Sequence, residues 1–328
     1  MRHYTETAFT SIGRKTMNRS LAQAEPKGII GRALFAFAAG DAFGVGYEFL
    51  GERVEVNREE IVPRRDSPFF PSEPWPLGGV SDDTLLTQLT IKALNSGKAG
   101  EALRDEFLRL LKIAVPELRG LGPTTRMALG LPLREGELTN GRSNGAMMRC
   151  AFVGTAFPPA SSSTRREVLF HLASATHPNE AAQYSALMLS AVFSELYENP
   201  SVDLVEVLRQ EDHQIRQDGF TVEDTWIHHV LDYTPLETGT SLDPLDTLGA
   251  VLHVALSADS LAEHFYIACE LGGDTDTVAA LAGAIGAMRF ESESLIAIPW
   301  FSQVNWGEVP HLQEYAGMLE SRRAKNGN

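Results

Sequence analysis

The stretch "LGGDTDTVAALAGAIGAM", Leu271 to Met288, places two carboxylates before a helix made almost entirely of small and apolar residues. A segment of this composition predicts a helix that is apolar all round and therefore buried. Asp274 and Asp276 stand at its start, where burial without a partner strongly penalises their charge. The stretch therefore predicts a central helix whose two acids need a compensating partner.

A second stretch of this kind, "GGVSDDTLLTQLTIKAL" from Gly78 to Leu94, places Ser81, Asp82 and Asp83 before another apolar helix. Asp, Ser and Thr are favoured N-cap residues, and acids suit the positive end of a helix, so each stretch alone is explained as a cap. Each has two carboxylates, however, where capping needs one.

A hard divalent cation would compensate the paired acids, because Mg²⁺ and Mn²⁺ take oxygen ligands from carboxylates, hydroxyls and water. Neither turn contains His or Cys, which argues against zinc. We therefore expect the four aspartates, with Ser81 and Thr277, to hold two Mg²⁺ or Mn²⁺ ions.

The bulk composition excludes several classes of protein. The chain has 328 residues and a formal net charge of −15, which argues against a protein that coats nucleic acid or an anionic membrane. It has two cysteines, far apart, which predicts a reducing compartment without disulfides. The apolar segment from Gly28 to Leu50 is interrupted by Arg32, Asp41 and Glu48, which argues against a membrane span. We expect a soluble, cytoplasmic protein, with a monomer as the default.

Apolar residues recur at helical spacing through most of the chain, and alternation at period two is almost absent, so the predicted fold class is all-α. The predicted helical segments are 29–40, 83–96, 100–113, 145–157, 164–175, 178–198, 202–217, 245–256, 259–271 and 275–289. Because the two acid turns lie far apart in sequence, a shared site predicts one domain over residues 28–328.

Residues 1–27 differ from the rest of the chain. They carry Arg2, Arg14, Lys15, Arg19 and Lys27 against only Glu6 and Glu25, and so form a basic extension of an acidic protein. Such a segment is explained either as a disordered tail or start-site artefact, or as an arm that binds an acidic partner.

Three weaker patterns contribute candidate site residues. In "GDAFGVGYEF", Asp41 is explained as a structural cap, and Glu48 stands at the entry to a long loop over residues 51–80, from which it could swing into a site. The turn "TNGRSNGAMMR" opens a helix and is either structural or an anion-binding turn. His177, at the start of a long apolar helix, is either structural or a ligand contact.

Taken in order, "GDAFGVGYEF", "SDDT", "GLGPTT", "NGAMMR", "THP" and "GGDTDTVAALAGAIGA" resemble the ADP-ribosylglycohydrolase family, which includes the dinitrogenase-reductase-activating glycohydrolases. Each piece is weak alone, but the ordered set is specific and covers about residues 29 to 290. The resemblance implies an orthogonal multi-helix bundle with a binuclear Mg²⁺ or Mn²⁺ site. It also implies hydrolysis of the bond between ADP-ribose and a modified protein side chain, most often arginine.

The resemblance also implies roles for individual residues. The metal ligands would be Ser81, Asp82, Asp83, Asp274, Asp276 and Thr277. The cradle for ADP-ribose would comprise Gly141, Ser143, Asn144, Gly145 and His177. Glu48 matches an acid on a mobile flap, and Glu48, Asp83 and Asp276 are the candidate catalytic carboxylates.

The basic extension departs from the family pattern, because members usually begin close to the "GDA" segment. Some bacterial relatives protect cells against ADP-ribosyltransferase toxins, so one alternative is an immunity protein whose arm also binds and blocks such a toxin. The modified residue stays open, since arginine is preferred only by its frequency in the family.

Overall fold

The computed structural model describes residues 25–51, 54–65, 75–134, 137 and 139–327. These ranges contain thirteen α-helices and no β-strand, apart from an isolated parallel bridge between Thr240 and Gly273. The helices are α1 (Gly28–Gly44), α2 (Asp82–Leu94), α3 (Gly100–Ala114), α4 (Pro123–Ala128), α5 (Gly145–Cys150), α6 (Ser162–Ser174), α7 (Glu180–Glu198), α8 (Leu204–Gln217), α9 (Trp226–Leu231), α10 (Pro244–Ser257), α11 (Leu261–Leu271), α12 (Thr275–Arg289) and α13 (Leu312–Asn326). The all-α prediction is confirmed.

The ten predicted helical segments correspond to helices whose ends differ slightly from the prediction. The segment 29–40 continues as far as Gly44, and the segment 145–157 divides into α5 and a 3-10 turn, Ala151–Ala156. The sequence pattern did not predict α4, α9 and α13. The first two have six residues each, too few to show a helical period. Helix α13 does show apolar residues at helical spacing that sequence reasoning overlooked, namely Leu312, Tyr315, Ala316 and Leu319.

The centre of the fold is the pair α1 and α12. Every residue of α12 from Thr275 to Met288 is buried, as its composition predicted. The two helices approach so closely that a Cβ added at Gly40 would lie 2.2 Å from the carbonyl oxygen of Ala279. A Cβ at Gly44 would lie 2.5 Å from Cα of Asp276. Glycine at these positions allows the two backbones to touch.

The remaining helices surround this pair. Helices α10 and α11 pack on α12, and α13 packs on α1. Helix α2 packs on α3 and α5, while α7 contacts α5, α6 and α8. The start of α12 thus lies inside the bundle, close to the start of α2.

Helix α1, with the 3-10 turn that follows it, is long and apolar enough to cross a membrane by length and composition alone, over Gly28–Tyr47. In the structure, 83% of that apolar window is buried against other parts of the protein. Its apolar surface is therefore used as core, in agreement with the sequence argument against a membrane span.

Residues 25–27 lead into α1 and lie against the helical bundle. The Glu25 carboxylate pairs with Arg32 at 3.4 Å and accepts a hydrogen bond from the hydroxyl of Ser294. The backbone nitrogen of Lys27 donates to Oε1 of Gln313 at 2.9 Å. The other basic residues of the extension, Arg2, Arg14, Lys15 and Arg19, lie outside the described residues, so the arm stays a prediction.

Candidate functional site

One cavity lies where the first turns of α2 and α12 meet. Its lining includes the candidate residues of all three proposed roles, namely Glu48, Asp82, Asp83, Ser143, Asn144, Gly145, His177, Asp274, Asp276 and Thr277. Two predicted site residues, Ser81 and Gly141, lie beside the cavity without lining it. Turns far apart in sequence are therefore brought together at one place.

The turn before α12 is shaped by two glycines with positive φ, 71° at Gly272 and 78° at Gly273. A Cβ at Gly273 would lie 2.0 Å from the carbonyl oxygen of Thr240. This close approach lets the backbone nitrogen of Asp274 donate to that oxygen at 2.9 Å. The hydroxyl of Thr275 donates to the carbonyl of Gly44 at 2.8 Å. The turn that carries Asp274 and Asp276 is therefore fixed by hydrogen bonds to Thr240 and to Gly44.

The turn before α2 is held by a carboxylate from another helix. Ser81 caps α2, its Oγ accepting from the nitrogen of Asp83 at 3.1 Å. Asp41, fully buried within α1, accepts from the nitrogens of Ser81 at 2.8 Å and Thr84 at 3.1 Å, and from the Thr84 hydroxyl at 2.5 Å. Asp41 thus acts as a structural cap, as expected, but for α2 rather than for its own helix.

With α2 capped by Ser81 and Asp41, the side chains of Asp82 and Asp83 are not needed for capping. Oδ2 of Asp83 is buried and has no hydrogen-bond partner among the described residues. A buried carboxylate oxygen without a partner is costly unless a cation or proton meets it. The donor set thus fits the hard-oxygen cation inferred from the sequence.

Glu48 follows a 3-10 turn after α1 and reaches the same place. Carboxylate oxygens of Glu48, Asp274 and Asp276 all lie within 4.8 Å of one another, close enough to share one cation. Arg64 approaches Glu48 from the loop, with Nε 3.6 Å from Oε2. Glu48 therefore contacts both the acids of α12 and Arg64.

Burial and mutual repulsion raise the pKa of every acid in this cluster for which a shift is resolved. Burial, followed by the charge of Asp276, raises the pKa of Glu48, Asp83 and Asp274 well above their usual range. Burial likewise raises the pKa of Asp276. The same causes raise the pKa of Asp41 to about 7, against hydrogen bonds from Thr84 and Ser81 that lower it. Protons and a cation would therefore compete for these oxygens near neutral pH.

Asn144, predicted to contact the substrate, is buried and supports the acid turn. Its Nδ2 donates to Oδ2 of Asp274 and to the hydroxyl of Thr247 at 3.0 Å. Its backbone nitrogen donates to the carbonyl of Leu242 at 3.0 Å. Asn144 thus fixes the orientation of a candidate metal ligand while it also lines the cavity.

The opposite wall of the cavity contains the candidate cradle. Ser143 Oγ lies 3.0 Å from Nε2 of His177, whose ring is 1% exposed. A Cβ at Gly145 would lie 3.0 Å from that ring, so glycine lets the His177 ring lie against the start of α5. A Cβ at Gly141 would lie 2.9 Å from Pro178, which shows that this glycine shapes the turn.

Sequence reasoning missed several lining residues. Two guanidinium groups contact the ring of Trp75, with Cζ of Arg64 4.9 Å and Cζ of Arg119 5.3 Å from its centroid. A Cβ at Gly120 would lie 2.9 Å from Oδ1 of Asp82, which explains the glycine there. Leu242 also lines the cavity. Trp75 stands in an aperiodic, proline-rich loop, and only its aromatic character in a long loop could have marked it.

Comparisons with known proteins identify the type of fold. A model of the ADP-ribosylglycohydrolase family matches residues 24–328. No curated protein matches the chain. A solved structure described as an ADP-ribosylglycohydrolase-related protein complex is similar to this chain, with 23% sequence identity and a TM-score of 0.63. The match covers 89% of this chain and 97% of that one, and it shows a common fold.

Proposed function

Since the chain belongs to the ADP-ribosylglycohydrolase family, we propose that it is a metal-dependent hydrolase that removes ADP-ribose from modified protein side chains. We propose ADP-ribosyl-arginine as the substrate class, with reversal of mono-ADP-ribosylation as the outcome. One observation carries the proposal: the buried acids of two distant helix starts share a cavity with Ser143, Gly145 and His177.

We assign two Mg²⁺ or Mn²⁺ ions to the acid cluster. The residues that would hold them are Asp82, Asp83, Asp274, Asp276 and Thr277, with Ser81 adjacent. When bound, such ions supply positive charge for ribose hydroxyls and lower the pKa of a bound water. The unpartnered oxygen of Asp83 and the shared position of Glu48, Asp274 and Asp276 support this assignment.

The carboxylates of the chain account for the chemistry at the ribose. Cleavage at the anomeric carbon passes through an oxocarbenium-like state, which nearby negative charge stabilises. Asp83 or Asp276 would orient the attacking water or accept its proton. Glu48, whose pKa is raised well above its usual range by burial, would carry a proton to the departing guanidine. Its largely buried side chain, which lines the cavity beside Asp274 and Asp276, also suits it to exclude water.

The opposite wall would bind the ADP moiety. Ser143 offers a hydroxyl and His177 a neutral ring beside it, since burial lowers the pKa of His177 to about 3. Gly145 lets that ring pack against the start of α5 and lines the cavity beside it. Asn144 would support the cation site, because it donates to Asp274, and it would also contact the ADP moiety, because it lines the cavity.

A second candidate function concerns the basic extension. Five basic residues stand against two acids in residues 1–27, in a chain of net charge −15. Such an arm could bind the acidic surface of an ADP-ribosyltransferase toxin and block it, in a cytoplasmic immunity protein. Deletion of residues 1–24 tests this idea, since unchanged affinity for every candidate transferase would remove it.

The proposed activity is tested by release of ADP-ribose from a protein modified on arginine, with and without divalent cations. We expect release with Mg²⁺ or Mn²⁺, and loss of release after chelation that is restored by adding the cation back. A parallel substrate modified on serine tests the acceptor. Release from neither substrate, with the protein folded and cation present, would refute the proposed function.

A further inference from the structure

Behind Ser143, a line of hydrogen bonds runs into the core, away from the cavity. Arg149 donates from Nη2 to the hydroxyl of Thr176 at 2.9 Å. That hydroxyl lies 2.8 Å from Nδ1 of His177, and Nε2 of His177 lies 3.0 Å from the hydroxyl of Ser143. Ser143 in turn donates to Oγ1 of Thr124 at 3.2 Å. Ser143, His177 and Thr124 line the cavity, whereas Arg149 and Thr176 do not.

The chemistry of the first donor sets the direction of the whole line. A guanidinium group only donates hydrogen bonds, so the oxygen of Thr176 must accept from Arg149. A hydroxyl has one proton, and that of Thr176 is then available to Nδ1 of His177. Among the described residues, Nδ1 is the acceptor that Thr176 Oγ1 contacts, so we take Nδ1 to accept this proton, which places the ring proton on Nε2, where it is donated to Ser143. The oxygen of Ser143 accepts from His177, so its own proton is donated to Oγ1 of Thr124.

We propose that Thr176, oriented by Arg149, is a positioning residue that holds His177 as the neutral Nε2–H tautomer and thereby keeps the Ser143 hydroxyl a hydrogen-bond donor, given to Thr124 in the structure and open to a ligand that replaces this contact. The ligand that receives this bond is an anionic oxygen, and its identification as a diphosphate oxygen of ADP-ribose rests on the proposed function. The tautomer itself does not depend on that function.

Arg149 is itself held rigidly, so the direction of the line is built into the core. Its Nη2 also donates to the carbonyl of Leu172 at 2.8 Å, near the end of α6. Its Cζ lies 4.2 Å from the ring centroid of Phe107. Arg149 and Thr176 are 1% and 2% exposed, so water does not compete for these bonds. The role of Ser143 as a donor is therefore fixed before a ligand binds.

The alternative ring states conflict with the same contacts. An imidazolium would make both ring nitrogens donors, so the oxygen of Thr176 would have to accept from Arg149 and from Nδ1, leaving its own proton without this partner. An Nδ1–H tautomer meets the same conflict. Burial and the nearby charge of Arg149 also disfavour a second positive charge on the ring.

The tautomer is tested by long-range ¹⁵N–¹H correlation spectra of the histidine rings in the full-length protein. The His177 signals are identified by their absence from the His177→Gln protein. We expect a protonated Nε2 and an unprotonated, hydrogen-bonded Nδ1 throughout pH 6 to 8. A protonated Nδ1 in this range, in either the neutral or the charged ring, would overturn the proposal.

The positioning role is tested by calorimetric titration with ADP-ribose of the Thr176→Val and Thr176→Ser proteins. Val removes the hydroxyl at nearly constant shape, and we expect about 3- to 10-fold weaker binding, the effect of one misdirected hydrogen bond. Ser keeps the hydroxyl and should restore both the Nδ1 signal and the affinity. Wild-type affinity of a folded Thr176→Val protein would overturn the positioning role. Failure of the wild-type protein to bind ADP-ribose would instead count against the proposed function and leave the spectral test decisive for the tautomer.

Discussion

Asp41 of α1 accepts two hydrogen bonds from Thr84 in the first turn of α2, at 3.1 Å from its nitrogen and 2.5 Å from its hydroxyl. The start of α2 is therefore oriented by a side chain from the central helix. We expect Asp41→Asn to destabilise the protein by about 1 to 3 kcal/mol, because an amide cannot accept on both of its ends. Chemical denaturation measures this, with exposed Asp105→Asn as the control, expected to change stability by less than about 0.5 kcal/mol.

The raised pKa of Asp41 gives this comparison a pH dependence. Its pKa is about 7 in the folded protein against an ordinary value of 3.8, so the folded state binds the proton more tightly than the unfolded state. Its contribution to stability is fully present below about pH 4 and is lost as pH rises through 7. In cation-free buffer, the stability advantage of the wild type over Asp41→Asn should therefore shrink between pH 4 and pH 8. An advantage that grows over this range would contradict the account.

Cation binding should show the opposite trend with pH. Because burial and repulsion raise the pKa of Glu48, Asp83 and Asp274, a divalent cation has to displace protons from them. We expect Mn²⁺ to bind more tightly at pH 8 than at pH 5.5 and to release protons on binding. Calorimetry in buffers of different ionisation enthalpy measures both the Mn²⁺ affinity and the number of protons released. Binding of Mn²⁺ without proton release at neutral pH would show that Glu48, Asp83 and Asp274 are already ionised.

The contact of α1 with α12 should not tolerate a side chain at Gly44. A Cβ there would lie 2.5 Å from both Cα of Asp276 and the carbonyl oxygen of Thr275, which are backbone atoms and cannot move aside alone. Gly44→Ala should destabilise the protein by about 1 to 3 kcal/mol and weaken cation binding. The matched control is Gly317→Ala within α13, where no atom lies within 4 Å of the added Cβ. That change should instead stabilise by about 0.4 to 1 kcal/mol. Equal effects of the two substitutions would refute the packing argument.

Asn144 provides a test of the support for Asp274. Its amide donates to Oδ2 of that residue, so Asn144→Ala leaves the carboxylate free to turn. Loss of such a supporting bond weakens metal affinity by about 10- to 100-fold in other sites, and we expect a decrease of that order. Mn²⁺ titration measures it, with exposed Asn95→Ala as the control. Unchanged affinity would show that Asp274 does not need this bond.

Local patterns were sufficient to predict the main parts of the fold and the shared site. The starts of α2 and α12 were visible because caps and small-residue composition are properties of adjacent residues. The pairing of two acids in each turn, more than a cap needs, indicated that they would meet. Asp274 and Asp83 do line one cavity.

Contacts between distant residues could not be predicted from such patterns. Nothing near Asp41 indicates that it caps α2, because its partners are set by the packing of α1 on the rest of the bundle. The bond between Asn144 and Asp274 joins residues 130 positions apart. The contacts of Trp75 with Arg64 and Arg119 join residues of an aperiodic loop to a residue far along the chain. These features depend on tertiary structure and leave no periodic signal.

The central claim is that the acids of α2 and α12 form one cation site for hydrolysis of ADP-ribosyl side chains. It is tested most directly with the Asp82→Ala, Asp83→Ala double variant, by measuring Mn²⁺ binding and ADP-ribose release from arginine-modified protein on the same preparation. We expect a folded variant that has lost both cation binding and release, while the wild type shows both. Release at the wild-type rate by the double variant would contradict it.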